Sequence, residues 1–84
     1  MAGAKSIILD TQIGTVTLTV KKIMDEKKIT VSQMSRISGL KFDVVSNYYY
    51  NKIHIYNAKI LAKFCKTLKC EISDLITYIP YSED

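Results

Sequence analysis

The chain has one proline, three glycines, two cysteines, one histidine and no tryptophan among its 84 residues. So little glycine and proline excludes collagen-like and low-complexity readings. Two cysteines and one histidine are too few for a four-ligand nitrogen and sulfur zinc site within one chain, so neither a metal nor a cofactor is expected. No run approaches the ~18 apolar residues of a membrane-spanning helix. The apolar run Ile7-Ile8-Leu9 after Met1–Lys5 is too short for the core of a signal peptide. No nucleophile–base set is visible, so a binding module is expected and not an enzyme.

What is present is an ordinary globular balance, 48% hydrophobic and 24% charged, in a length that holds one small domain. The net charge of +4 is unevenly spread. Residues 15–56 carry +4 and residues 57–70, with Lys59, Lys63, Lys66 and Lys69 and no acid, another +4. The last fourteen residues carry −4. A basic body with an acidic end suits a face that binds a polyanion, although a lysine stripe such as 59/63/66 is more often simply solvated. Cys65 and Cys70 lie five apart, roughly 140° around a helix, and are not expected to meet. They read as reduced thiols of a cytoplasmic protein, Cys65 packed in the core.

Residues 1–16 read as an N-terminal extension, 17–80 as the folded body and 81–84 as a tail. Thr15-Val16-Thr17-Leu18-Thr19-Val20 alternates with period two and is rich in β-branched residues, which favours a strand. Two readings stand: a hairpin with Ile7-Ile8-Leu9 around Asp10–Gly14, or a first helix that begins near Thr17. From Val20 the period becomes helical, with Val20, Ile23 and Met24 on one face. Thr30-Val31-Ser32-Gln33 is a capping box that opens a two-turn helix over 31–38, turning Val31, Met34 and Ile37 inward. Gly39 ends it. The next helix spans 42–50, with Val44, Val45 and Tyr48 inward and Phe42, Asp43, Ser46, Asn47 and Tyr50 outward. Asn51 is its left-handed terminator. Asn57 caps the clearest helix, 58–69, with Leu61, Phe64, Cys65 and Leu68 on one face. Ser73 caps a short last helix over 74–78, stopped by Pro80. The fold class expected is all-α, five helices, with a short N-terminal β element.

The ordered set Lys21–Thr30, Met34-Ser35, Ser38-Gly39-Leu40, Val45-Ser46-Asn47-Tyr48, Asn51-Lys52, Lys63–Cys70 and Ser73-Asp74-Leu75 resembles the Cro/repressor-type helix-turn-helix family, in its small single-domain form, over about sixty residues in register. The resemblance implies a sequence-specific regulator of prokaryotic or phage type that binds double-stranded DNA through the major groove, as a homodimer on an inverted repeat. Helix 42–50 is then the reading element. Phe42, Asp43, Ser46 and Asn47 face bases, Asn47 pairing with adenine and Phe42 packing on a thymine methyl. Arg36, Lys41, Tyr50, Lys52 and His54 contact the backbone. Small Ser35 matches the family position where the two helices approach closely.

The aromatic, acid-bearing face of Phe42, Asp43 and Tyr48–Tyr50 also suits a protein partner. A helix-turn-helix body reused as an interaction module, such as a phage-encoded inhibitor or antirepressor, is the second reading. Dimerisation has two candidate segments, residues 1–18 by strand pairing and the tail Tyr78-Ile79-Pro80-Tyr81.

Overall fold

Alternation of threonine with apolar residues between Thr15 and Leu18 gives strand β1, and the shift to helical period at Val20 gives α1 over Val20–Glu26. The computed structural model describes residues 8–82 and continues with α2 (Val31–Ser38), α3 (Phe42–Tyr49), α4 (Ala58–Leu68), α5 (Ile72–Leu75) and strand β2 (Ile76–Ile79). A single 3-10 turn, Asp10–Gln12, precedes β1.

The local signals act as their chemistry requires. Thr30 Oγ1 accepts from the Gln33 N–H at 3.2 Å, and the Gln33 side chain accepts from the Thr30 N–H at 2.9 Å. Asn57 Oδ1 takes the Lys59 and Ile60 amides at 2.9 and 3.1 Å. Gly39 ends α2 at φ 78°, a left-handed conformation that costs glycine little, and Asn51 follows α3 at φ 58°.

One core joins the helices and the root of the ribbon. Val20, Met24, Met34, Val45, Phe64 and Leu75 are fully enclosed, and Leu18 and Tyr48 lie nearly so. Burying this many large apolar side chains supplies the main favourable free energy of a chain this short.

Four expectations are corrected. β1 pairs antiparallel with β2, Thr15 opposite Ile79 and Leu18 opposite Ile76, and not with a strand before it. Ile8 and Leu9 form no strand, and Ile7 lies outside the described residues. Nor does α1 begin near Thr17, because Thr17 is held in the β1 ladder. The last helix is capped at Glu71, whose N–H donates to Asp74 Oδ2 at 2.9 Å and whose carbonyl accepts from the Asp74 N–H at 2.9 Å, and not at Ser73. Its continuation Ile76–Ile79 is strand, since those residues alternate in period two and meet β1. Ile37 is 65% exposed and not inward. Each i+3 step falls 60° short of a full turn, so a face centred on Val31, Met34 and Ser38 has left Ile37 behind.

Candidate nucleic-acid interface

The turn between α2 and α3 is held by side-chain oxygens. Ser35 Oγ donates to the Leu40 carbonyl at 2.6 Å, and Ser38 Oγ donates to the Met34 carbonyl at 2.6 Å while accepting from the Leu40 N–H at 3.2 Å. A larger residue at 35 would remove the first bond and fill the space where the helices meet. Lys41 leads into α3 with extended backbone and no side-chain cap. Asp43 supplies an acceptor instead, its Oδ1 taking the Val44 N–H at 3.0 Å in the first helical turn, where a carboxylate is favoured by the helix dipole.

The inner side of α3 is fixed by Val45, fully buried, and by Tyr48. The Tyr48 ring lies 5.5 Å from that of Phe64, and its Oη accepts from the Asn57 N–H at 3.0 Å, so one side chain joins α3 to α4 and to the α4 cap. A second tie runs to α1. Tyr49 Oη donates to Asp25 Oδ1 at 2.6 Å, and Lys21 Nζ donates to Asp25 Oδ2 at 2.8 Å from 5.5 Å above the Tyr49 ring. The Lys21 bond, with that of Tyr49 beside it, holds the Asp25 carboxyl below its ordinary value. The same bonds raise Lys21 and Tyr49, in each case through Asp25 first.

The outer side of α3 is open. Phe42 and Tyr50 are each 56% exposed, Asp43 is exposed, and Ser46 and Asn47 are half-buried between them. Tyr50 and Lys52 lie together, Lys52 Nζ 5.7 Å from the ring centre, and Tyr49 meets Tyr50 edge-on at 4.8 Å. Lys41 and Lys52 therefore stand exposed at the two ends of this face. Arg36 is exposed in the last turn of α2, and His54 is exposed on the connector to α4. Neither makes a side-chain hydrogen bond or ion pair to another described residue. A groove of about 540 Å³ lies beside Tyr49 and Tyr50, walled by Asp25, Lys28 and the Ile29–Val31 connector. The lysine stripe stands elsewhere: Lys63 and Lys66 flank Ile37 in a groove of about 480 Å³ between α2 and α4.

Two features of this site were not expected from the residues. Tyr49 has no distinctive position on the helical wheel, and its bond to Asp25 spans 24 residues. Asn51 was expected as a terminator, but its amide also bridges to β1: Oδ1 accepts from the Leu18 N–H and Nδ2 donates to Thr17 Oγ1. The cysteines also depart from expectation. Helix α4 stops at Leu68 and Lys69 turns left-handed at φ 54°, so the chain folds back and Cys65 and Cys70 come together. The 140° separation holds only for a continuous helix. Both are free and half-buried in a groove of about 710 Å³ with Ala58, Ala62 and Ile72, and Cys65 is not enclosed in the core. Burial pushes the Cys70 thiol up, with Cys65 beside it adding to the shift.

Among the described residues no helix is long and apolar enough to cross a membrane. No curated protein matches the sequence. A solved structure of a protein from Bacteroides fragilis, named with a provisional DNA-binding role, is similar in fold: TM-score 0.66 at 21% identity, over 75% of this chain and 100% of that one. Residues 19–81 match the model of the Cro/C1-type HTH DNA-binding domain, which takes in every helix and the whole of β2. The chain therefore belongs to the Cro/C1-type helix-turn-helix DNA-binding domain family.

Proposed function

We propose that the protein is a sequence-specific regulator that reads double-stranded DNA by placing α3 in the major groove, as a homodimer. The observation that carries this reading is the uncovered outer face of α3 on a helix pair whose turn is fixed by Ser35 and Ser38. Preorganised elements of this kind read base edges without spending affinity on ordering. Asn47, Ser46, Phe42 and Asp43 are the base-facing candidates, and Asn47 has the amide geometry for adenine. Lys41, Lys52, Arg36, Tyr50 and His54 are the candidates for phosphate contact, which fixes register. Asp43 faces a polyanion, which its bond to the Val44 N–H makes tolerable and which acceptance from a cytosine amine makes useful.

Selection of bound duplexes from a random DNA pool tests the proposal. Recovery of one inverted-repeat sequence, with log K falling steeply against log salt, supports it. Retention of random and selected duplexes alike, or an affinity indifferent to salt, overturns it. The exposure of Phe42 and Tyr50 favours a second reading, in which α3 captures a protein; that reading requires Phe42→Ala to abolish capture by a chain with no DNA affinity.

A further inference from the structure

Both strands of the β1–β2 ribbon and the residues that flank them are without charge. Thr11–Val20 and Leu75–Ser82 contain no Asp, Glu, Lys or Arg, although the chain as a whole is 24% charged. Instead the ribbon exposes Val16, Tyr78, Ile13 and Ile79, each more than half accessible. One of its faces starts at the body, at Leu18 and Ile76, and runs outward as the exposed Val16 and Tyr78. A two-stranded ribbon in water is marginal, and its open edges invite a further strand.

The hydrogen bonds show which backbone groups of the ribbon face outward. In an antiparallel ladder the N–H and C=O of one residue point to the same side, and neighbours alternate. The Thr19 N–H donates to the Leu75 carbonyl, whereas the Leu18 N–H points away from β2, to Asn51 Oδ1. Leu18, Val16, Ile76 and Tyr78 thus aim their backbone groups outward. On the β1 side Asn51 occupies the inner end of this edge, accepting from the Leu18 N–H and donating to Thr17 Oγ1, so that Val16 alone stays open there, beside the 3-10 turn and its lead into β1. On the β2 side the Ile76 N–H is taken by the Ile72 carbonyl, and Pro80 has none to offer. Tyr78 is left with an outward N–H and C=O at the centre of the β2 edge, with no partner among the described residues.

We infer that β2 pairs with β2 of a second copy, antiparallel about a two-fold axis at Tyr78. The two Tyr78 residues then exchange both backbone hydrogen bonds, and the ribbons join as one sheet, β1-β2-β2-β1. Val16, Tyr78 and their counterparts form a continuous apolar row across it. Charge selects this occupant. Two chains of +4 repel across their basic faces and meet without penalty only where neither carries charge, while a polyanion finds no cation on the ribbon. A four-residue strand pair is small beside the roughly 1,200–2,000 Å² of a stable interface, and the exposed Leu9, Ile13, Ile79 and Tyr81 alongside extend it.

This inference rests on the homodimer reading and adds its surface, so the test separates the two. Sedimentation of the full chain without DNA should show a dimer through the micromolar range. Tyr78→Pro removes the outward N–H and should weaken self-association at least ~30-fold, the scale of an interface hot spot. Tyr78→Phe, which keeps the backbone groups, and Val16→Pro, which removes the corresponding N–H of β1, should remain dimeric. A wild-type monomer overturns dimer and interface together. A dimer that persists in Tyr78→Pro overturns this interface and leaves the dimer standing. Should Tyr78→Pro lose its helical circular dichroism, Tyr78→Cys with Cys65→Ser and Cys70→Ser decides. The Cα atoms of a hydrogen-bonded pair lie about 5.5 Å apart, within disulfide reach, so oxidation should link the chains through position 78. Failure to link while the protein is dimeric overturns the inference.

Discussion

Asn51 Oδ1 accepts from the Leu18 N–H at 3.2 Å, and Asn51 Nδ2 donates to Thr17 Oγ1 at 2.7 Å, so the residue that ends the helix-turn-helix also holds the first strand. Its φ of 58° adds a second demand, because residues other than Gly, Asn and Asp occupy that region at a cost. The two roles separate by substitution. Asn51→Gly keeps the conformation and loses both bonds, for about 1–2 kcal/mol in denaturant unfolding. Asn51→Ala should cost about 1 kcal/mol more, for the left-handed backbone.

Tyr48 likewise has two parts. Its ring packs on Phe64, and its hydroxyl serves the Asn57 amide at the start of α4. Tyr48→Phe leaves that amide without its partner and should cost about 1–3 kcal/mol, with the helices otherwise in place. Tyr48→Ala removes the ring as well and should cost about 3–5 kcal/mol. Equal losses in the two variants would mean that the hydroxyl contributes nothing.

The contrast between Tyr48 and Tyr49 shows how much of this molecule is legible in its sequence. Val44, Val45 and Tyr48 share a side of a helix by 100° arithmetic alone, and the capping signals Thr30, Gly39 and Asn57 act within four residues of themselves. Such features are local, so the order of residues contains them. Tyr49, by the same arithmetic, is a flank residue, and only the packing of α1 against α3 brings Asp25 to its hydroxyl. The partner of β1 was hidden for the same reason. Four alternating residues say that a strand forms, but the choice of Ile76–Ile79, some sixty residues on, is made by the helices between them. The outward face of α3 was legible; what braces it was not.

The brace has a pH signature. Asp25 is held below its ordinary value of 3.8, so its contribution is present above that value and is lost as pH falls through the lower native one. Lys21 and Tyr49 are raised, so theirs is present below their ordinary values of 10.5 and 10.0 and is lost as pH rises through the native ones. Tyr49→Phe should therefore lower the melting temperature most near neutral pH. The gap to wild type should close on acidification below 3.8, since protonated Asp25 is a weaker acceptor for the Tyr49 hydroxyl. Lys21 and Asp25 are exposed to solvent and Tyr49 is only partly covered, so added salt should narrow the gap at neutral pH as well.

The two kinds of proposed DNA contact predict different failures. In the proposed complex Lys52, beside Tyr50, would meet the duplex as a point charge, and charge alone carries no sequence information. Lys52→Ala should weaken selected and random duplexes by the same factor and reduce the slope of log K against log salt by about one. Asn47 is uncharged and half-buried on the outer face of α3, so Asn47→Ala should leave the salt slope unchanged. It should cost about 1–3 kcal/mol on the selected duplex alone and relax selection at one base pair per half-site. Asp43 completes the set with the opposite sign. Asp43→Asn removes a negative charge from the approach of the phosphates and should raise affinity for random duplex. If that change instead lowers affinity for every sequence, the bond to the Val44 N–H matters more to α3 than the repulsion does, and Asp43 is a helix residue first.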